Sequence, residues 1–202
     1  MPNFRTPVLV APRLSDNSTP ISELFERFNK YGEYVRLETQ GEINGLIVLG
    51  NIPKFSFVEV FPFVDYQYLG KSFLSQLAFG IGFLRARQSK LICLIGGDVW
   101  LGGAQVMILS ALFQSKTRTQ ISFHGIPNLT NNLILKVLRS LYLKILISRV
   151  DSIRVVSKSL LKILASKHEI ESKKLFISPV PISIPSENLR QPGARVAAIS
   201  VF

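Results

Sequence analysis

Phe123-His124-Gly125 is the triplet of this chain best suited to touch a ligand. A neutral imidazole at a strand end can donate or accept a hydrogen bond to a sugar hydroxyl or a phosphate, and Gly125 lets a ligand approach the backbone. The competing reading is a structural histidine bonded to a neighbouring loop. A second cluster, Gly96-Gly97-Asp98, leads through Val99-Trp100-Leu101 to Gly102-Gly103. Gly-rich turns ahead of a helix can cradle phosphate, with Asp98 orienting a hydroxyl or serving as a base. Alternatively, Asp98 caps the helix and the glycines only permit tight packing. The spacing matches neither the dinucleotide fingerprint nor a P-loop. A third cluster is Ser157-Lys158, where Ser157 reads as an N-cap. It has no acid or base in sequence reach and no Gly-x-Ser-x-Gly elbow, so a nucleophilic role is not expected.

All three clusters follow strand-like runs: Leu91–Ile95, Arg118–Phe123 and Asp151–Val156. Helices are expected between and after them, at Leu101–Gln114, Leu129–Ser148 and Ser157–Lys167, with a last core strand at Lys174–Ser178. Upstream, Pro7–Ala11 reads as a buried strand. Thr19-Pro20 opens a helix to about Tyr31, with Ile21, Leu24, Phe25 and Phe28 on one face. Short strands are expected near Tyr34–Glu38, Gly45–Leu49 and Phe57–Phe61, then a helix over Lys71–Arg87. Alternating strands and helices imply right-handed crossovers and an α/β fold: a Rossmann-like, three-layer domain on a mostly parallel sheet. Ligands of such sheets bind outside the carboxyl ends of the strands, where the three clusters fall.

The chain has 202 residues, 47% of them hydrophobic and 18% charged, enough for a large core. Twenty-four Lys and Arg against 13 Asp and Glu give a net charge of +11, which favours polyanions or anionic membrane surfaces, or is simply a basic surface. The single Cys93 forms no disulfide within the chain, which fits a reducing cytoplasm. His124 and His168 lie far apart in sequence with no Cys or His nearby, so no metal site is expected, and nothing calls for a cofactor. Leu91–Phe113 is long and apolar, but its glycines and Asp98 favour a strand, a loop and a buried helix over a membrane span.

Leu133–Arg149 is almost wholly aliphatic except for a stripe of Lys136, Arg139, Ser140 and Lys144. It reads either as a basic amphipathic helix able to lie on an anionic bilayer, or as a core helix with one solvated stripe. Few aromatics interleave with its cations, which argues against nucleic acid as a partner. After Ser178 the prolines 179, 181, 185 and 192 suggest an extended linker over 181–193, and 194–202 reads as a strand opening a further domain.

Four segments carry a resemblance: Ile92–Gly103, Ser122–Gly125, Val150–Lys158 and Phe176–Ser183. Their order is similar to the N-terminal domain (residues 1–180 here) of family 4 glycosyltransferases, which pair two Rossmann-like domains in the GT-B architecture. The resemblance implies the acceptor-binding half of a retaining, nucleotide-sugar-dependent enzyme. His124 would then act at the transferred sugar, while Gly96, Gly97, Asp98, Gly102, Gly125, Ser157 and Lys158 border the cleft. A nucleotide-sugar donor would be a partner only with a second domain. The acceptor would be a sugar or a lipid-linked sugar, and the location cytoplasmic or peripheral on the inner face of the membrane. Two features depart from the family pattern: Pro12–Thr19 replaces its Gly-Gly loop, and Ser183 stands where Asp or Asn is usual. The donor-binding basic residues and paired glutamates of the family's C-terminal domain have no counterpart in the sequence. The alternative expectation is a non-catalytic module of the same fold that docks on a membrane or a partner.

Overall fold

The computed structural model describes residues 4–14, 19–53, 61–87, 90–113, 117–125, 132–168, 170 and 172–177. Seven strands form one sheet, and every neighbouring pair is parallel. In chain order the strands and helices are β1 (Thr6–Ala11), α1 (Ile21–Glu38), β2 (Leu46–Gly50), β3 (Val64–Tyr68), α2 (Phe73–Ala86), β4 (Ile92–Gly96), α3 (Leu101–Leu112), β5 (Thr117–Phe123), α4 (Leu133–Arg149), β6 (Ser152–Val155), α5 (Lys158–His168) and β7 (Leu175–Ile177). Their order across the sheet is β3-β2-β1-β4-β5-β6-β7, so the winding reverses between β1 and β4. Loops leaving those two strands diverge and open a crevice at their carboxyl ends.

Right-handed crossovers assign the helices to faces. Val8 and Val10 of β1, with Leu94, Ile121 and Ile153, pack on α2 to α5. Ala11, Val48 and Tyr66 pack on α1, through Leu24, Phe25 and Phe28. Helices therefore lie on both faces of the sheet, which makes the three layers expected from the sequence. The distribution is uneven: of the described helices, α1 alone lies on its face. Each fully buried aliphatic such as Leu94, Ile121, Leu146 or Ile153 contributes about 1.5–3 kcal/mol.

The expected strand at Tyr34–Glu38 is instead the end of α1. Its β-formers Tyr34 and Val35 suggest a strand, and Gly32 resembles a helix stop, but tertiary packing overrides both. The helix stops at Gln40-Gly41. There the Gly41 N–H donates to the Arg36 carbonyl (2.8 Å) and the Gln40 N–H to that of Leu37 (3.1 Å), a Schellman closure with Gln40 at φ 52°. β3 occupies Val64–Tyr68, a stretch where no strand was expected. There Asp65 and Gln67 interleave with Tyr66 and Tyr68, as suits an edge strand with a wet side. Apart from Phe61, the span Phe57–Phe61 lies outside the described residues, as do 181–193 and 194–202. Leu91–Phe113 holds a strand, a turn and a helix, and among the described residues no helix is long and apolar enough to cross a membrane.

The exposure of α4 bears on its reading as a core helix with one solvated stripe. Only Leu143, Leu146 and Ile147 are buried, all in its second half. Leu133, Ile134, Val137, Leu138 and Leu141 are each more than half exposed, so a core helix with one solvated stripe is overturned for the first half. Of the polar stripe, Lys136, Ser140 and Lys144 are exposed, and Arg139 alone turns partly inward. Arg139 lies over the Trp100 ring, 5.2 Å from its centroid, and the Tyr142 hydroxyl bonds the Val99 and Trp100 carbonyls at 2.8 and 2.9 Å.

Candidate functional site

The period-2 rule places alternate residues of β4, β5 and β6 on the α1 side of the sheet. They include Gln120, Ser122 and Arg154, where a covered parallel sheet would carry aliphatics. Between this surface and α1 lies a cavity of about 730 Å³, large enough for a sugar-sized ligand. It runs from Pro7 and Leu46 up to Gly97, Asp98 and His124 at the carboxyl rim.

Arg154 spans the cavity. Its Nη2 donates to the Tyr31 hydroxyl of α1 (2.8 Å), and its guanidinium sits 5.3 Å from the centre of the same ring. A cation held on an aromatic face keeps a defined direction, so the pair ties α1 to β6 across open space. Arg13 and Arg27 also line the wall, Arg27 being paired with Glu23. Tyr34 and Phe176 add exposed aromatic surface.

Asp98 resolves in favour of the capping role. Its Oδ1 accepts from the Trp100 and Leu101 N–H groups, each at 2.8 Å, and its Oδ2 from the Gly102 N–H at 3.0 Å. A carboxylate held by the first turn of α3 fills the place where a phosphate would dock. Gly102 sits in a tight place. A Cβ there would stand 3.0 Å from Asp98 Oδ2 and from the Val10 carbonyl oxygen. We expect Asp98→Ala to destabilise the fold by about 2 kcal/mol in urea unfolding and Asp98→Asn by roughly half that. Equal losses in the two variants would refute the capping account.

His124 is exposed at the end of β5 and borders the cavity. Desolvation by the wall lowers its pKa below 6.5, Arg154 lowers it further, and Asp98 partly opposes them. The downward shift favours the neutral imidazole at pH 7, the form that can both donate and accept a hydrogen bond. A depressed histidine binds its proton less readily folded than unfolded, so this group weakens the fold as pH falls below 6.5. Proton NMR titration is expected to place the His124 midpoint below 6.5, and Arg154→Met to raise it.

The cavity thus unites His124, Asp98 and Gly97, but its wall does not include Gly96, Gly102, Gly125, Ser157 or Lys158. A Cβ on Gly125 would meet nothing within 4 Å, so the backbone there is open to an approaching molecule. Ser157 caps α5, its Oγ accepting from the Leu160 N–H at 3.2 Å, and Lys158 is an exposed first-turn residue. Lys136, Arg139 and Lys144 belong to α4 and form no part of this site. Burial pushes the Cys93 thiol up to about 11, which leaves it unreactive. Among the described residues no group of three His, Cys, Asp or Glu could hold a metal ion.

Arg154, Gln120, Ser122 and Tyr31 escaped the sequence reading. The signal for three of them is present in it. Arg118, Gln120 and Ser122 alternate with Thr119, Ile121 and Phe123, and Ser152 and Arg154 with Ile153 and Val155. Alternation inside a parallel sheet announces a face that no helix covers. No protein-family model matches this chain, and no curated protein matches it in sequence.

Proposed function

We propose that this chain is the acceptor-binding half of a retaining, nucleotide-sugar-dependent glycosyltransferase. The observation that carries the reading is the cavity at the winding reversal, where a neutral His124 on the carboxyl rim faces the same space as Arg154, Tyr31 and Tyr34. Sugar rings are recognised by hydrogen-bonding groups beside aromatic faces, and the wall supplies both. In this reading His124 contacts the acceptor or the transferred sugar at the rim, and Arg154 orients hydroxyl or anionic groups deeper in. The nucleotide is held by a second Rossmann-like unit, as in the two-domain architecture that the sequence resembles.

Saturation-transfer NMR with a panel of mono- and disaccharides tests the acceptor role without a donor. We expect at least one sugar to receive saturation, and His124→Ala to weaken its binding about tenfold, the loss of one good hydrogen bond. The melting temperature should hold, because the side chain is exposed. Absence of any sugar binding, or binding untouched by His124→Ala, would sink the proposal.

A further inference from the structure

Helix α4 is apolar on two opposite faces. Leu143, Leu146 and Ile147 serve the core, while Leu133, Ile134, Val137, Leu138, Leu141 and Ile145 point the other way. Helical spacing of 100° per residue gathers these six into a single outward arc, with Arg149 just beyond one edge, Lys144 just inside the other, and Ser148 within it. Isolated exposed aliphatics are ordinary on a protein surface, but six on one helix face make a contiguous patch that calls for a contact.

The composition of the patch selects among possible contacts. Protein interfaces are enriched in aromatic anchors and depleted in lysine at their centres. Apart from Ser148 near its C-terminal end, this stripe holds Leu, Ile and Val, with cations near its margins, which is how a helix lies in the headgroup region of a bilayer. The electrostatics point the same way. From Val99 to Val150 the chain contains no Asp or Glu, yet it holds Lys116, Arg118, Lys136, Arg139, Lys144 and Arg149. No acidic side chain within this stretch offsets these cations, although Arg118 pairs with Asp151 just beyond it. Asn132 caps the helix, accepting from the Leu135 N–H at 3.2 Å, so the first turn is formed before any surface is met.

We infer that the outward face of α4 is a docking surface for an anionic lipid bilayer, on which the helix lies in the plane of the interface. This role is independent of the sugar-binding cavity. The aliphatic stripe enters the acyl boundary, and Lys144 and Arg149 reach the phosphates beside it. Both terms are needed: the stripe gives depth and the cations give preference for negative lipid.

Vesicle flotation is the test, using phosphatidylcholine alone or mixed with phosphatidylglycerol. The wild-type chain is expected to float with the mixed vesicles and not with phosphatidylcholine alone, and to be released by high salt. Ile134→Ser/Leu138→Ser/Leu141→Ser should reduce the bound fraction about tenfold, and Lys144→Glu about fivefold. Circular dichroism should show both variants folded, since all four side chains are exposed. Failure of the wild type to float, or flotation unaffected by the triple variant, would overturn the inference. So would a wild-type dimer that the triple variant dissociates in the absence of any lipid binding, because the stripe would then be covered by a second copy.

Discussion

Replacing Gln76 by leucine is expected to destabilise the protein by about 3 kcal/mol, although leucine is the more hydrophobic residue at a site only 4% exposed. The Gln76 amide stands at the centre of a buried network. Its Nε2 donates to the Pro12 carbonyl (3.2 Å) and the Gly70 carbonyl (3.1 Å), and its Oε1 accepts from Gln105 Nε2 at 2.7 Å. Leucine would strand the Gln105 amide in the core, at 1% exposure, and remove the donor serving two carbonyls. Each unsatisfied buried group costs about 1–3 kcal/mol, against roughly 1 kcal/mol regained from extra apolar burial. The melting temperature should fall by about 6–12 °C for a chain of this size. Gln76→Leu/Gln105→Leu should recover part of the loss, because both ends of the 2.7 Å bond then become apolar together. Losses that simply add would refute the network. The network also holds Pro12, and with it the Arg13 loop, against α2, so the variant should loosen the cavity mouth.

Gly32→Ala reverses the sign that helix propensity assigns. In an exposed helix interior, alanine stabilises by about 1 kcal/mol over glycine. Here we expect a loss of about 3 kcal/mol, read from urea unfolding. A Cβ at position 32 would collide with the backbone carbonyl of Phe63, and it would stand 2.9 Å from the Phe63 Cβ. That carbonyl is not free to retreat, since it accepts the Leu46 N–H at 2.9 Å, while the Phe63 N–H donates to Asn29 of α1 at 2.9 Å. The guanidinium of Arg36 lies 5.5 Å from the Phe63 ring centre on the same side. Helix α1 is thus clamped to the start of β3, and it forms one wall of the cavity. A melting temperature raised by the alanine would show that the clamp yields cheaply.

Charge at the base of the sheet should be felt in acid. Burial works to raise the Asp151 pKa, but hydrogen bonds from Arg118 (2.6 Å) and from the Thr119 N–H and hydroxyl (2.8 and 2.9 Å) outweigh it, and the net shift is downward. A carboxylate depressed on folding stabilises above its unfolded pKa and loses that contribution as pH drops through the folded value. Asp151→Asn should therefore flatten the acid limb of the stability curve below about pH 4. The effect is modest, because the side chain is partly exposed and screened.

The sequence by itself determined the alternation of strands and helices, and with it the parallel sheet. Period-2 and period-3.6 patterns reflect which side of each element meets the core, and that is local information. It also located Asp98 and Ser157 ahead of their helices, because capping acts within one turn. Only the tertiary structure decided which surfaces stayed uncovered. The strand pattern of Gln120, Ser122 and Arg154 was legible, but that Tyr31 from α1 stands opposite Arg154 depends on contacts 123 residues apart. The same holds for α4, whose sequence is aliphatic nearly all round. Which apolar side the core takes is settled by packing against α3, and the remaining side is left facing solvent. Burial is a property of pairs of elements, and a single helix or strand cannot specify its own partner.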